Sequence, residues 1–229
     1  MICRLCHSPD MHPMPFDLPA DCPAFQRCTA CGSDSSPLTY EQVADIYGPH
    51  FEVSEVEASG GHQVRVDEIC SNLDWFGHHA DEKLGKDFLD VGCCDGAGLR
   101  GMQDRGWRVH GFDVFEPSYM GPHVTVAPFF HRWLFPRRYA AVLCREVWEH
   151  VQCPDLFLHE LHGVTVPGGL VQLQTPKAID HFHAIPYQRG HLQIASPAQL
   201  RRMLHGAMLD VIDAREWDLG QAYLCRARR

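Results

Sequence analysis

The sequence predicts an α/β fold: a doubly wound, mostly parallel sheet with helices on both faces, joined to a small N-terminal module. Three observations carry this. From about residue 86, short apolar runs alternate with stretches of helical spacing. Five of the eleven cysteines fall in the first 46 residues, where apolar side chains for a core are few and a covalent or metal staple is needed. The last two strand-like runs stand close together, which predicts an antiparallel hairpin at the edge of the sheet.

The elements follow in order. Residues 1–46 read as an irregular cysteine module and residues 47–85 as a helical linker or lid. TYEQVADIYG has helical spacing after a hydroxyl cap and stops at Gly48 and Pro49. SEVEASGG reads as a polar loop. VRVDEICSNLDWFGHH places Val66, Ile69, Leu73 and Phe76 on one helical face. DFLDVG is then a strand, AGLRGMQDRG a helix closed by Gly106, WRVHGFDV a strand and HVTVAP a shorter one. YAAVLCREV is a buried strand and CPDLFLHELHGVT a helix. GGLVQLQTP is a strand opening after Pro167. SPAQLRRMLHGAM is a helix capped by Ser196 with Pro197 in its first turn. LDVIDAREW and QAYLCRAR form the closing pair.

Composition narrows the classes. Of 229 residues, 45% are apolar and 21% charged, which suits a globular domain rather than a disordered chain. The formal net charge of −9 counts against a broad footprint on nucleic acid or anionic membrane. No apolar run approaches the ~18 residues that span a bilayer. The opening MICRLCHSPD has no charged-then-apolar leader, so the expectation is a cytoplasmic protein. An odd number of cysteines, with two close pairs, argues for metal ligation over a secreted disulfide framework.

FLDVGCCDGAGL, residues 88–99, is a strand running into a glycine turn and a helix. Glycines let the backbone approach a ligand. The G-x-G-x-x-G spacing of dinucleotide enzymes is absent: Cys94 stands at its second glycine, and Gly96 and Gly98 are out of step. Asp90, two residues before Gly92, would repel a pyrophosphate and suits a cationic ligand.

D-x-G-x-x-D-G-x-G after a strand, with Asp113 closing the next strand, resembles the class I S-adenosylmethionine-dependent methyltransferases. So do the E-V-x-E-H stretch after YAAVLCR, the following helix and P-G-G turn, and the H-L-x-x-x-S segment before the last helix. The resemblance covers about residues 86–229. It implies a Rossmann-like seven-stranded sheet with the last strand antiparallel, and S-adenosyl-L-methionine as cofactor. It further implies that Gly92, Cys94, Gly96 and Gly98 line the methionine moiety, with Cys94 a tolerated variation if its backbone angles are ordinary. Asp90 would favour the ammonium group and Asp113 accept the ribose hydroxyls. Val114 would pack near adenine, and Cys144 and Arg145 close the fourth strand where cofactor and acceptor meet.

CRLC and CTAC give C-x2-C…C-x2-C with 21 residues between the pairs. Four thiolates, Cys3, Cys6, Cys28 and Cys31, complete a tetrahedral shell, and structural zinc is the expected ion; Cys22, His7 and His12 are substitute ligands. Residues 1–48 hold two arginines against six acidic side chains, which disfavours phosphate binding. The module resembles the N-terminal zinc segment of sugar and natural-product methyltransferases, which implies that it packs on the catalytic domain beside the acceptor.

The expected function is methyl transfer to a small-molecule acceptor: a sugar, nucleotide sugar or natural-product intermediate. Alternatives are an RNA or protein methyltransferase and a non-catalytic zinc-containing binding protein; an NAD-dependent oxidoreductase is disfavoured by the glycine spacing. Candidates for proton removal are His150, His181, His183 and His191, with Tyr187 nearby in sequence; His191 is favoured. Glu146 and Glu149 are candidates to orient a hydroxyl or cap a helix. The arginines of HRWLFPRRY read as a solvated basic loop.

Overall fold

The structure is a computed structural model. It describes residues 1–20, 22–39, 41–43, 61–114, 123–184, 186–188 and 190–229, with backbone alone for residues 61–68. Residues 41–43 are helical; the rest of the helix expected over TYEQVADIYG, the SEVEASGG loop and the side chain of Val66 lie outside the described residues.

The N-terminal segment folds into three short strands, β1 (Met11–Pro13), β2 (Gln26–Cys28) and β3 (Asp34–Ser35). Helix α1 (Gly61–His79) follows. The alternating part then runs β4 (Asp87–Val91), α2 (Ala97–Asp104), β5 (Arg108–Asp113), β6 (Val124–Val126), β7 (Tyr139–Arg145), α3 (Pro154–Val164) and β8 (Thr165–Pro176). After a long loop come β9 (Gln193–Ile194), α4 (Pro197–Gly206), β10 (Leu209–Glu216) and β11 (Gly220–Ala227).

Seven strands form one sheet in the order β10-β11-β8-β7-β4-β5-β6. Strands β6, β5, β4, β7 and β8 are parallel, and β11 runs antiparallel to both neighbours. This is the Rossmann-like doubly wound sheet with its closing strand reversed. Period-two alternation sorts the side chains onto two faces. Phe88, Ala141, Leu143 and Leu224 pack with Ile69, Leu73 and Phe76 of α1 and Leu99 and Met102 of α2. Leu89, Val91, Val142, Cys144, Val171 and Leu173 pack on the opposite side with Leu158 and Leu161 of α3 and Leu200 and Leu204 of α4. Cys3, Leu5 and Cys28 join that second layer, so the cysteine segment shares the main core.

Two features depart from the sequence expectation. Strand β8 begins at Thr165, before the P-G-G turn, and pairs Thr165 with Tyr139 before the register shifts to Ala141 opposite Leu170. Pro167, Gly168 (φ +83°) and Gly169 form a bulge inside the strand. The second sheet, β1-β2-β3-β9, is completed by a strand from the far end of the chain: Asp34 pairs with Ile194 and Ser35 with Gln193.

Candidate active site

Strands β4, β5 and β7 lie side by side and end at the same edge of the sheet. The chain leaves β4 toward β5 on one side, while β7 lies on the other, so a crevice opens between their carboxyl ends. Asp90 is the penultimate residue of β4 and only 5% exposed. Gly98, in the first turn of α2, faces it: a Cβ there would lie 2.3 Å from Asp90 Oδ2. Gly92 (φ +79°) and Gly96 (φ +72°) occupy the left-handed region that glycine adopts freely. The loop thus folds tightly around one carboxylate.

Cys94 corrects one expectation. Its φ is +48°, so the backbone angle is the one a glycine would take and not an ordinary one. Its N–H donates to Asp113 Oδ2 at 3.0 Å, which links the glycine loop to the end of β5. Val114 N–H donates to Asp113 Oδ1 at 2.8 Å, and its side chain is 39% exposed. The two backbone donors fix the carboxylate plane. Cys144 is buried at the end of β7, and burial pushes its thiol well above the ordinary range. Arg145 ends the strand, half-buried. The next residue, Glu146, has φ +54°, a strained angle of the kind that gathers at functional sites. Gln174 Nε2 donates to Glu146 at 3.2 Å, and Asn72 of α1 donates to Gln174 at 3.0 Å.

Two of the histidine candidates, His150 and His191, fall into one cluster, which includes neither His181 nor His183. The rings of His150 and His191 meet edge-on at 4.7 Å. Together with Glu149 they bring a carboxylate oxygen and two ring nitrogens within 4.8 Å of one another. His150 Nδ1 donates to Gly190 O at 2.9 Å. A carbonyl only accepts, so in the neutral ring Nε2 carries the lone pair. By the same logic His191 Nδ1 donates to Pro186 O at 2.8 Å, and its Nε2 accepts from Gln188 at 2.9 Å. Burial holds His150 down to about 4 and His191 down to about 3, so both are neutral near pH 7. Glu149 is fully buried and its carboxyl is raised well above the usual range by burial, while Thr175 donates to it at 2.9 Å. Tyr187 lies apart from this pair. Its hydroxyl donates to Asp34 at 2.9 Å, its ring packs edge-on to Phe16 and Phe25, and it is fully buried.

Cys3, Cys6, Cys28 and Cys31 converge at the N-terminal module, with all four Sγ atoms within 4.8 Å of one another. Cys3 and Cys31 are 3.7 Å apart and Cys6 and Cys28 3.5 Å. The hydrogen bond with Cys31 pulls the Cys3 thiol down to about 4, which favours a thiolate. The donor set and spacing fit a tetrahedral zinc ion. All eleven cysteines are free thiols. Among the described residues no helix is long and apolar enough to cross a membrane.

Sequence reasoning missed Gln174, Asn72 and Gln188, which hold the neighbours of the site. Glutamine and asparagine within an apolar strand or helix carry no periodic signal, and only three-dimensional proximity reveals them.

A reversed-edge, seven-stranded sheet with a glycine loop after its first parallel strand and an acid ending the second defines the methyltransferase class of doubly wound folds. Residues 61–214 match the family model described as "Methyltransferase domain", and the chain belongs to that family. It is 30% identical over 115 residues to a ubiquinone biosynthesis O-methyltransferase of Azoarcus sp. (strain BH72), covering 45% of this chain and 49% of that protein. The chain therefore spans about half the length of that curated relative. Among solved structures, the fold resembles the 1,6-didemethyltoxoflavin-N1-methyltransferase of Burkholderia thailandensis, bound to 1,6-didemethyltoxoflavin and S-adenosylhomocysteine. The TM-score is 0.57 at 15% identity, over 86% of this chain and 96% of that one. It also resembles the magnesium protoporphyrin IX methyltransferase of Synechocystis PCC 6803 with bound S-adenosylhomocysteine (TM-score 0.53, 15% identity, 82% and 93% covered). At such identities the likeness is one of fold.

Proposed function

We propose that this chain transfers a methyl group from S-adenosyl-L-methionine to a hydroxyl of a small-molecule acceptor. The observation that carries the reading is the carboxylate cradle. Asp90 is enclosed by a loop whose Gly98 leaves no room for a Cβ, and Asp113 stands one strand away, tied to the same loop through Cys94. A pair of acids at this edge suits a ligand with an ammonium group and a sugar diol, and repels a pyrophosphate. The O-methyltransferase name of the Azoarcus relative favours oxygen as the receiving atom. Sugars, nucleotide sugars and natural-product intermediates remain the acceptor classes. A reducing, cytoplasmic setting accords with the free thiols.

The cofactor, when bound, supplies an activated methyl group on a sulfonium. Asp90 would neutralise the cationic amino acid end, and Asp113 would accept from the ribose hydroxyls. Gly92, Gly96 and Gly98 let the backbone approach, and the buried Cys144 forms the apolar floor. His150 takes the acceptor proton at Nε2, because Nδ1 is committed to Gly190 and the side chain is 22% exposed, whereas His191 is 1% exposed and engaged at both nitrogens. His191 serves as the wall that orients the His150 ring. Tyr187 belongs to the frame of the loop. Zinc at the four cysteines would tie the N-terminal strands together.

Calorimetry with S-adenosylhomocysteine tests the reading. The expected result is saturable binding, weakened about tenfold or more in Asp113→Ala as charged hydrogen bonds are lost, with the unfolding transition retained. Absence of uptake by the parent chain overturns it. Transfer of labelled methyl to a panel of phenols, catechols and nucleotide sugars then identifies the acceptor.

A further inference from the structure

Strand β2 presents its residues to alternate sides. Cys28 turns toward the thiol cluster, and its neighbour Arg27 turns the other way, into the long loop between β8 and β9. The Arg27 guanidinium grips Asp34 of β3 with two parallel bonds, Nε to Oδ1 at 2.8 Å and Nη2 to Oδ2 at 2.9 Å. Its remaining donors reach that loop: Nη1 bonds Asp180 and Nη2 bonds the carbonyl of Ile179. Asp34 is fully buried and also accepts from Tyr187 at 2.9 Å. Tyr187 in turn accepts from the Ile179 N–H at 3.3 Å. One arginine of the cysteine module thus pins both ends of segment 179–187.

The segment so held contains one of the histidine cluster's hydrogen-bond acceptors and leads directly into the other. Pro186 O receives His191 Nδ1 and Gly190 O receives His150 Nδ1. The far end of the loop is fastened to the module as well: Ser36 N–H donates to Leu192 O at 2.9 Å, and Ser196 N–H to Ser33 Oγ at 2.9 Å. An ordinary surface ion pair contributes little. Here the carboxylate is desolvated and the fork is bidentate, so geometry is imposed on what it touches.

We propose that Arg27 is a positioning residue, which holds the loop 178–192 against the cysteine module so that His150 and His191 keep their ring orientation at the acceptor end of the site. The assignment rests on the proposed function only for the role of the two histidines; the placement itself is read without an acceptor.

The test uses the full chain labelled at histidine ring nitrogen, and Arg27→Lys, which keeps the charge and loses the fork. Removing the guanidinium entirely would strand a buried carboxylate and risk the fold, so lysine is the informative change. In the parent chain the ring N–H groups of His150 and His191 are expected to be protected from solvent exchange by their carbonyl partners. In Arg27→Lys their exchange is expected to quicken about tenfold or more, while affinity for S-adenosylhomocysteine stays within about twofold, since the cradle of Asp90 and Asp113 is built from other strands. Unchanged ring N–H protection overturns the proposal. So does a change in protection matched by an equal loss of cofactor affinity, because that marks general loosening. Should Arg27→Lys fail to fold, Tyr187→Phe, which keeps the ring packing and removes the bonds to Asp34 and Ile179, carries the same two readouts with the same criteria. If the parent chain takes up no S-adenosylhomocysteine, the proposed function falls while the ring N–H readout on Arg27 still decides, with the unfolding midpoint as the control for general loosening.

Discussion

At the scale of single residues the proposed cofactor edge is set by backbone angles as much as by side chains. Gly98 is required because Asp90 occupies the space a Cβ would fill. Cys94 is the opposite case, a side chain at φ +48°, where an L-residue other than glycine pays of order 1 kcal/mol in strain. Cys94→Gly relieves that strain, at the smaller cost of a looser unfolded chain. The expected outcome is stabilisation of about 0.5 kcal/mol, seen as a higher denaturant midpoint with an unchanged slope. The Asp90 and Asp113 carboxylates were legible in the sequence because acids at strand ends beside glycine turns are a local pattern. The angle of Cys94 was not, because the identity of a residue does not state its φ. Nor was the partner of His191: a histidine before a helix reads alike whether its ring faces a substrate or bonds to Pro186.

At the scale of elements, helices and long strands were legible from period and caps. The 3.6-residue spacing of Ile69, Leu73 and Phe76 marked α1, and Ser196 with Pro197 marked the start of α4, where Ser196 Oγ accepts from Gln199 N–H at 3.2 Å. Strands β3 and β9, two residues each, were not, because two residues carry no period and their pairing spans most of the chain. That pairing joins the cysteine module to the loop of the histidines. Removal of zinc by a chelator is therefore expected to speed proteolysis within residues 1–46 and to loosen the amides of Ser36 and Ser196 with it. Hydrogen exchange measured before and after chelation checks this, and unaltered cleavage and exchange would sink the zinc assignment.

At the scale of the whole molecule, buried titratable groups set the response to pH. His150 and His191 are held near 4 and 3 by burial, below the ordinary value of about 6.5. Their contribution is complete above pH ~6.5 and falls as pH drops toward the folded values, because the unfolded chain takes up protons that the folded chain refuses. Each histidine adds about 1.4 kcal/mol per pH unit to the slope within that window. Glu149, raised by burial, has the reverse sign: its neutral form in the fold makes acidification favourable above the ordinary carboxyl range. The net expectation is a fold that weakens on acidification below pH ~6.5, with His191→Gln flattening the curve by about one proton's slope. Denaturant midpoints taken across the window in both chains measure it.

The strand contributed by Gln193–Ile194 also imposes an order of events during synthesis. Cys3 to Cys31 leave the ribosome first, yet the sheet that carries them lacks its outer strand until residue 194 has been made. At ordinary elongation speeds that interval is roughly ten to thirty seconds. Throughout it the nascent thiols stand beside an uncovered strand edge, open to oxidants or to a pairing chain until residue 194 has been made.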